Sequence, residues 1–465
     1  MENTNFLLEQ LREIVGERNV ITAEDSLEPY SHDETAGLKH LPLAAVKPAD
    51  TAEVSAVMKF AYANNLSVTP RGAGTGLSGG AVATQGGIVL SLERLNKILE
   101  IDTENLMVVT QPGVITDALQ KAVEEKGLFY PPDPGSLESC HIGGNVAENA
   151  GGPRAFKYGV TKKYLCGMEV VWPDGRVSRL GGKLIKNVAG YDMGALICGS
   201  EGTLAIVTEV TLNLIPKPAA QADLLIPFPS IGQAVTAVTE IIQRQRIMPA
   251  AMEFMEKRTV QMGEKFLQKD ANFREAAAQL IIQLDGDTME HLQEQYEKIG
   301  EIVMEHGAED VLVAEDKTSR DRLWELRRCL SEALTAYSPM LKKDDIVVPR
   351  AKIPQMFAEL ADLQKKYGLE IVCYGHIGDG NIHATVLKCD SPDELWTKNY
   401  HPLLADMYAR VAALGGSVTG EHGVGSEKRC YLSTCIDPAA MEMMKAVKKA
   451  VDPKGLLNPA KIFPD

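Results

Sequence analysis

The sequence predicts an α+β protein of two or three domains, and its length, texture and punctuation carry that expectation. The 465 residues exceed what one ordinary hydrophobic core organises. To about Pro218 the chain is rich in glycine and in short β-branched runs; beyond it, strand-like runs alternate with longer amphipathic helices. Pro-Lys-Pro at 216–218 and Pro-Phe-Pro at 227–229 stand between the two textures and mark a boundary. The expected division is 1–218, 219–415 and 416–465.

The elements follow from local chemistry. Asp50 can cap a helix starting at Thr51, with Glu53 placed to reach back, and Val54, Val57, Met58 and Ala61 keep helical spacing. A second helix runs from about Thr116, with Leu119, Ala122 and Val123 on one face and Gly127 as its stop. Residues 87–92, 108–110 and 204–214 read as strands. Past the boundary, strands at 224–226, 277–284 and 311–314 alternate with helices near 231–244, 289–306, 319–336 and 353–367, giving helices packed on one sheet. Residues 416–465 read as helical again, with a Pro-rich end.

Composition excludes several classes. Apolar content of 45% and charged content of 24% are ordinary for a globular protein. No apolar run reaches the ~18–20 residues that span a bilayer, and residues 1–16 lack the basic start of a signal peptide, so a cytoplasmic protein without a membrane span is expected. A net charge of −15 argues against nucleic-acid binding, which needs clustered basic surface. The eight cysteines form no C-x-x-C pair, which supports neither a disulfide framework nor an iron–sulfur or zinc-thiolate site.

Residues 70–81 read PRGAGTGLSGGA, and Gly74, Gly76 and Gly79 satisfy G-x-G-x-x-G. A nicotinamide-type dinucleotide turn should open a helix, but 81–87 has no helical pattern before the next strand near Ile88, so that reading fails. What remains is a long glycine loop whose bare N–H groups suit a pyrophosphate, or else a flexible surface loop. PPDPGS at 131–136, GGNVAENAGG at 143–152 and GSEGT at 199–203 favour the first reading. Four such segments suggest backbone wrapped closely around a large, flat, phosphorylated ligand.

A second constellation lies in EIVCYGHIGDGNIHATVLK at 370–388. GDGN is a turn signal between two strand-like runs. A turn at 378–381 pairs Ile377 with Ile382 and His376 with His383, on one face with Cβ atoms roughly 4.5–5.5 Å apart. A lone strand histidine is usually a satisfied core or surface residue, whereas two in register can hold one metal. Glu421-His422, in TGEHGVG, is the obvious source of a third ligand. Two histidines and a carboxylate leave coordination positions open, and adjacent residues of an extended segment point to opposite sides, so one of that pair is the ligand. The H-E-x-x-H signature of zinc proteases is absent.

These segments, with GYD at 190–192, GSEGTLAIVTEVTL from Gly199 and NPAK at 458–461, resemble the vanillyl-alcohol-oxidase-type flavoproteins. Within these the chain is most similar to the D-lactate dehydrogenase and glycolate oxidase flavoprotein subunits and to D-2-hydroxyglutarate dehydrogenases, over nearly its whole length. The resemblance implies a two-part FAD-binding domain, an α+β cap domain with an antiparallel sheet, and a helical C-terminal segment returning to the flavin. It implies an FAD held at the pyrophosphate by Arg71, Gly72, Gly74, Thr75, Gly76, Leu77, Ser78, Gly79 and Gly80. Pro134, Gly135, Ser136, Gly143, Gly144, Asn145, Asn149, Gly202 and Ile206 would line the rest, with Asn458 near the ring. Some relatives tether the flavin through a histidine in the glycine loop. None lies between Pro70 and Ala81, so non-covalent FAD is expected, with His141 the nearest alternative tether.

By the same resemblance, His376, His383 and Glu421 carry a divalent cation, zinc or manganese, and His422 is the base for the substrate hydroxyl. Arg327 and Lys343, the latter placed just before a strand at 346–348, hold the substrate carboxylate; a guanidinium fork suits that task. By itself Arg327-Arg328 on a helix reads as a solvated pair. Two departures from the D-2-hydroxyglutarate pattern point to a shorter acid: Thr385 stands where that branch has Asn, and the segment from Arg327 to Lys343 is a residue longer. The expected reaction is oxidation of D-lactate or glycolate, with electrons leaving through an electron-transferring flavoprotein, a quinone-linked protein or an iron–sulfur subunit. The alternatives are a D-2-hydroxyglutarate-type dehydrogenase, a silent FAD electron-transfer subunit, and a metal-dependent hydrolase carrying a glycine-rich ligand domain.

Overall fold

The computed structural model describes residues 2–464 and divides into two units, one of Met1–Gly151, Val160–Lys217 and Glu421–Asp465, the other of Gly152–Gly159 and Pro218–Gly420.

In the first unit the helix Thr51–Ala63 starts where its cap predicts. Asp50 accepts the Glu53 N–H at 2.9 Å, and the Glu53 carboxylate reaches back to the Ala49 N–H at 2.7 Å. Val54, Val57, Met58 and Ala61 are fully buried against Val46, Val68, Ile88 and Leu90. Each such valine contributes roughly 1.5–3 kcal/mol by leaving water. Those partners belong to a four-stranded sheet ordered Val20–Ile21, Ala44–Val46, Ile88–Ser91, Val68–Arg71, whose last three strands are parallel. Next comes a five-stranded antiparallel sheet, ordered Ile98–Asp102, Met107–Thr110, Ile206–Asn213, Leu165–Val171, Val177–Gly181. No helix interrupts the glycine loop between Arg71 and Ile88.

Two local readings need correction. GGNVAE is not a glycine loop like 70–81: Ile142–Glu148 is a short helix ended by Asn149 at φ 55°, because Ile142, Asn145 and Val146 have a core to face. Residues 416–465 are not helical throughout. The α-helix is confined to Pro438–Val451, and 421–428 run as turns spaced by glycine.

The second unit is built on one antiparallel sheet. Its strands are β1 Ala220–Phe228, β2 Ala251–Glu256, β3 Ala278–Gly286, β4 Leu312–Ala314, β5 Leu341–Val347, β6 Glu370–His376 and β7 Asn381–Leu387, in the order β4-β1-β3-β2-β6-β7-β5. Pro227 is not outside this sheet but in β1, opposite Gln279, beyond the stretch that β4 pairs. Lys343 lies inside β5, not before it. Helix Lys317–Tyr337 covers one face with Trp324, Leu330 and Leu334, while Phe254 on the other meets Phe357 of helix Ile353–Tyr367 at 5.5 Å.

The β6–β7 hairpin corrects the expected register. His376 pairs with Asn381 and His383 with Tyr374, two residues from the expected pairing. The cause is the place of the turn: four residues long as expected, it sits one position earlier, at 377–380, closed by the Gly380 N–H to the His376 carbonyl at 3.1 Å. A slip of two keeps every side chain on its face, where a slip of one would not. Both histidines therefore still face the same way, as diagonal neighbours.

Candidate active site

Strand alternation assembles the site of the second unit. Paired residues share a face, so the register puts Glu253 of β2, Tyr374 and His376 of β6, His383 and Thr385 of β7, and Lys343 and Asp345 of β5 on one side of the sheet. The Nε2 atoms of His376 and His383 lie 3.3 Å apart, with the rings nearly perpendicular. Nδ1 of His376 meets the Glu253 carboxylate at 2.6 Å. Arg327, on the covering helix, pairs with the other oxygen of Glu253 at 2.6 Å and stacks its guanidinium 4.7 Å above the Tyr374 ring. Lys343 Nζ donates to Ser331 Oγ at 2.9 Å. Asp345, fully buried, accepts from Asn381 Nδ2 at 2.5 Å, Thr419 Oγ1 at 2.8 Å and the Gly420 N–H at 3.0 Å. Glu421 is the next residue in the chain.

In the first unit, Glu421 and His422 occupy one turn, with Glu421 Oε1 3.9 Å from His422 Nε2. The three residues from Val424 to Ser426 are pinned. Glu201 accepts the N–H groups of Val424 at 2.8 Å and Gly425 at 2.6 Å, and the Ser426 N–H donates to the Ser78 carbonyl at 3.0 Å. Gly425, at φ 52°, lies so close to the Ser78 carbonyl that a Cβ has no room. The turn bearing His422 is thereby fastened to the glycine loop. Glu148 approaches Gly423 beside Glu201. Burial, then the charges of Glu201 and Asp33, push Glu148 well above the usual carboxylate range. Burial raises Glu201 as well, opposed by the Val424 and Gly425 N–H groups that favour its charge.

The remaining residues sort by neighbourhood. Arg71 turns its guanidinium inward, donating to the carbonyls of His32 at 2.7 Å and Pro29 at 2.8 Å, and so braces the glycine loop from beneath Gly74. Gly72 abuts Gly144 and His141, and burial lowers the His141 pKa. Asn145 donates to Thr116 Oγ1 at 2.6 Å, and Asn149 accepts the Lys162 N–H. Asn458 Nδ2 joins the carbonyls of Gly80 at 3.0 Å and Glu201 at 2.8 Å, next to Gly202. The turn of Pro134, Gly135 and Ser136 is closed by its own bonds, and Ile206 lies in the core.

Residues 42–181 match the family described as FAD binding domain, and residues 217–462 match FAD linked oxidases, C-terminal domain. The chain is 40% identical to the glycolate oxidase subunit GlcD of Bacillus subtilis, over 99% of this chain and 97% of that one. It is 39% identical to a D-lactate dehydrogenase of Anaerostipes hadrus, over 99% and 97%. The chain belongs to the FAD-linked oxidases. Its fold is shared with p-cresol methylhydroxylase, at a TM-score of 0.78 and 18% identity, covering 100% of this chain and 98% of that one. The architecture is the α+β one of the vanillyl-alcohol-oxidase type, and the protein is an oxidoreductase.

This FAD-linked oxidase has donors of the right kind for its cofactor. Among the described residues, no N–H from Gly72 to Gly80 donates to a backbone carbonyl, and the buried Ser78 Oγ and Asn458 Oδ1 have no hydrogen-bond partner. Donors of this kind could hold a diphosphate, and Ser78 and Asn458 lie at the far end of the loop. Four residues of these two neighbourhoods receive no role from the sequence: Glu201 and Lys461 in the first unit, though both lie inside quoted motifs, and Glu253 and Asp345 in the second. Glu253 had a signal, an acid flanked by Met252 and Phe254 in a mostly apolar strand. Lys461, buried and donating to the Val82 carbonyl at 2.8 Å, is lowered to about 8, chiefly by that burial.

Proposed function

We propose that the chain oxidises a short D-2-hydroxy acid, D-lactate or glycolate, to the 2-oxo acid and passes the electrons to a partner redox protein. The observation that carries the reading is the buried sheet face that sets two converging imidazoles beside Arg327. Bound FAD supplies the two-electron acceptor for the hydride leaving the substrate carbon. His376 and His383 offer adjacent Nε2 atoms to a divalent cation, with Glu421, next in the chain to the anchored Gly420, as third ligand. His422 takes the hydroxyl proton. Arg327 and Lys343 hold the carboxylate, an orientational contribution. Thr385, between Lys343 and His383 on that face, is short and buried, which supports a monocarboxylic acid over a longer diacid. With eight scattered cysteines, none in a disulfide, the chain offers no cluster to carry electrons onward, so a separate electron-transferring flavoprotein or iron–sulfur subunit is the acceptor. Among the described residues, no helix is long and apolar enough to cross a membrane.

The test is anaerobic bleaching of the flavin by a panel of 2-hydroxy acids in both enantiomers. D-Lactate or glycolate is expected to bleach it fastest, and D-2-hydroxyglutarate slowly. His422→Ala should keep its FAD and lose the bleaching, and a variant that bleaches at the wild-type rate removes His422 from the role of base. His376→Ala should lose its cation on elemental analysis, and an unchanged metal content refutes that site.

A further inference from the structure

Resting on that reading, we propose that Glu253 is a positioning residue that ties the cation pocket to the carboxylate clamp. Its carboxylate is completely buried and divided between two tasks: one oxygen lies 2.6 Å from His376 Nδ1, the other 2.6 Å from Arg327 Nη2. An ionised carboxylate only accepts. His376 Nδ1 must therefore carry the proton, which leaves the lone pair on Nε2, the atom that faces His383 Nε2 at 3.3 Å. A carboxylate behind a histidine fixes its tautomer and ring plane and raises its basicity as a ligand. The same charge holds Arg327 where its guanidinium can lie over Tyr374.

The arrangement closes on itself. Arg327 stacks on Tyr374 at 4.7 Å, Tyr374 meets His383 at 5.0 Å, His383 meets His376 at 5.0 Å, His376 bonds Glu253, and Glu253 pairs with Arg327. Moving any one member displaces the next. The carboxylate is therefore shared: charge that Arg327 draws from Glu253 is charge His376 does not receive. When a substrate carboxylate engages Arg327, the demand on Glu253 falls, and His376 becomes the better ligand. Cation and hydroxy acid then favour each other's binding, and linkage makes the effect reciprocal.

Glu253→Gln tests this in the full-length, FAD-loaded protein. After chelation, Zn2+ titration should show cation affinity reduced ~10–100-fold, with the KM for D-lactate or glycolate raised in the same variant and FAD content unchanged. In the metal-free protein, imidazole 15N shifts should show His376 as the Nδ1–H tautomer in the wild type and as a mixture in Glu253→Gln. Glu253→Asp restores the charge at a shorter reach and should recover part of both losses, which an effect of packing alone does not give. If Glu253→Gln fails to fold, Arg327→Met leaves the whole carboxylate to His376 and should bind Zn2+ several-fold more tightly; unchanged affinity there overturns the proposal. A Glu253→Gln variant in which only cation affinity or only KM moves, or neither, also overturns it. A wild type that takes up no cation fails differently: it sinks the metal reading of the proposed function, and the link with it.

Discussion

Replacing Glu201 by Gln isolates the fastening of the turn that bears His422, the proposed base. Glu201 accepts the Val424 and Gly425 N–H groups at 2.8 and 2.6 Å, each a charge-assisted bond worth about 1.5–3 kcal/mol. Glutamine has a single oxygen, so it keeps one bond, now neutral and worth about 1 kcal/mol, and turns an NH2 toward the other donor. The local loss is about 3 kcal/mol. Global stability changes far less, because the substitution also removes the like charge that opposes ionisation of Glu148. With about 1.4 kcal/mol per tenfold, the turn should open roughly 100-fold more often. Hydrogen exchange by mass spectrometry reads this at 421–426, with the strand Ile206–Asn213 as internal reference. Flavin reduction should slow at least about tenfold, since a base misplaced by ~1 Å costs that much or more. Unaltered exchange at Val424 and Gly425, with the strand equally protected, refutes the fastening.

Glu256 gives a pH test. Burial raises its pKa from 4.5 to about 7; the Cys373 N–H opposes the rise, and Glu370 adds to it. A folded-state pKa above the unfolded one contributes stability that is whole below about pH 4.5 and lost as pH rises through about 7. Glu256→Gln should match the wild type near pH 4.5 in urea unfolding and exceed it by about 2 kcal/mol at pH 8, after discounting its partial exposure; a constant difference across that range counts against the burial argument. Gly425→Ala places a methyl group against the Ser78 carbonyl at a left-handed φ, which should cost about 1–3 kcal/mol. A thermal midpoint and a flavin-reduction rate equal to wild type refute the close approach.

Local rules read the helices well and the strands' edges poorly. Asp50 with Glu53 announces Thr51–Ala63, and Gly368 at φ 69° ends Ile353–Tyr367. The hairpin shows the boundary of such reading. Alternation fixes which face His376 and His383 share, but the place of the turn sets which residues pair, and it takes in Ile377 and leaves Asn381 to the strand. Pro227 reads as punctuation, yet it is tolerated within β1 because β4 stops short of it. Ionic partners from distant strands are the least legible. Nothing local tells Glu253 that His376 and Arg327 will meet it, since β2 and β6 become neighbours only when the sheet forms. Arg327 reads as solvated until the helix above that face buries it.

The order of synthesis gives the C-terminal latch a further meaning. Asn458 bonds the Gly80 carbonyl, and Lys461 the Val82 carbonyl, across separations of 378 and 379 residues, while Leu457 and Asn458 lie against Val68. At roughly 5–20 residues per second, a ribosome makes the latch about 20–75 seconds after the loop it closes. Residues 218–420, a nearly self-sufficient unit, are complete before then. The glycine loop is thus made well before the residues that give it its final shape. Closure of the loop waits for the synthesis of residues 457–461.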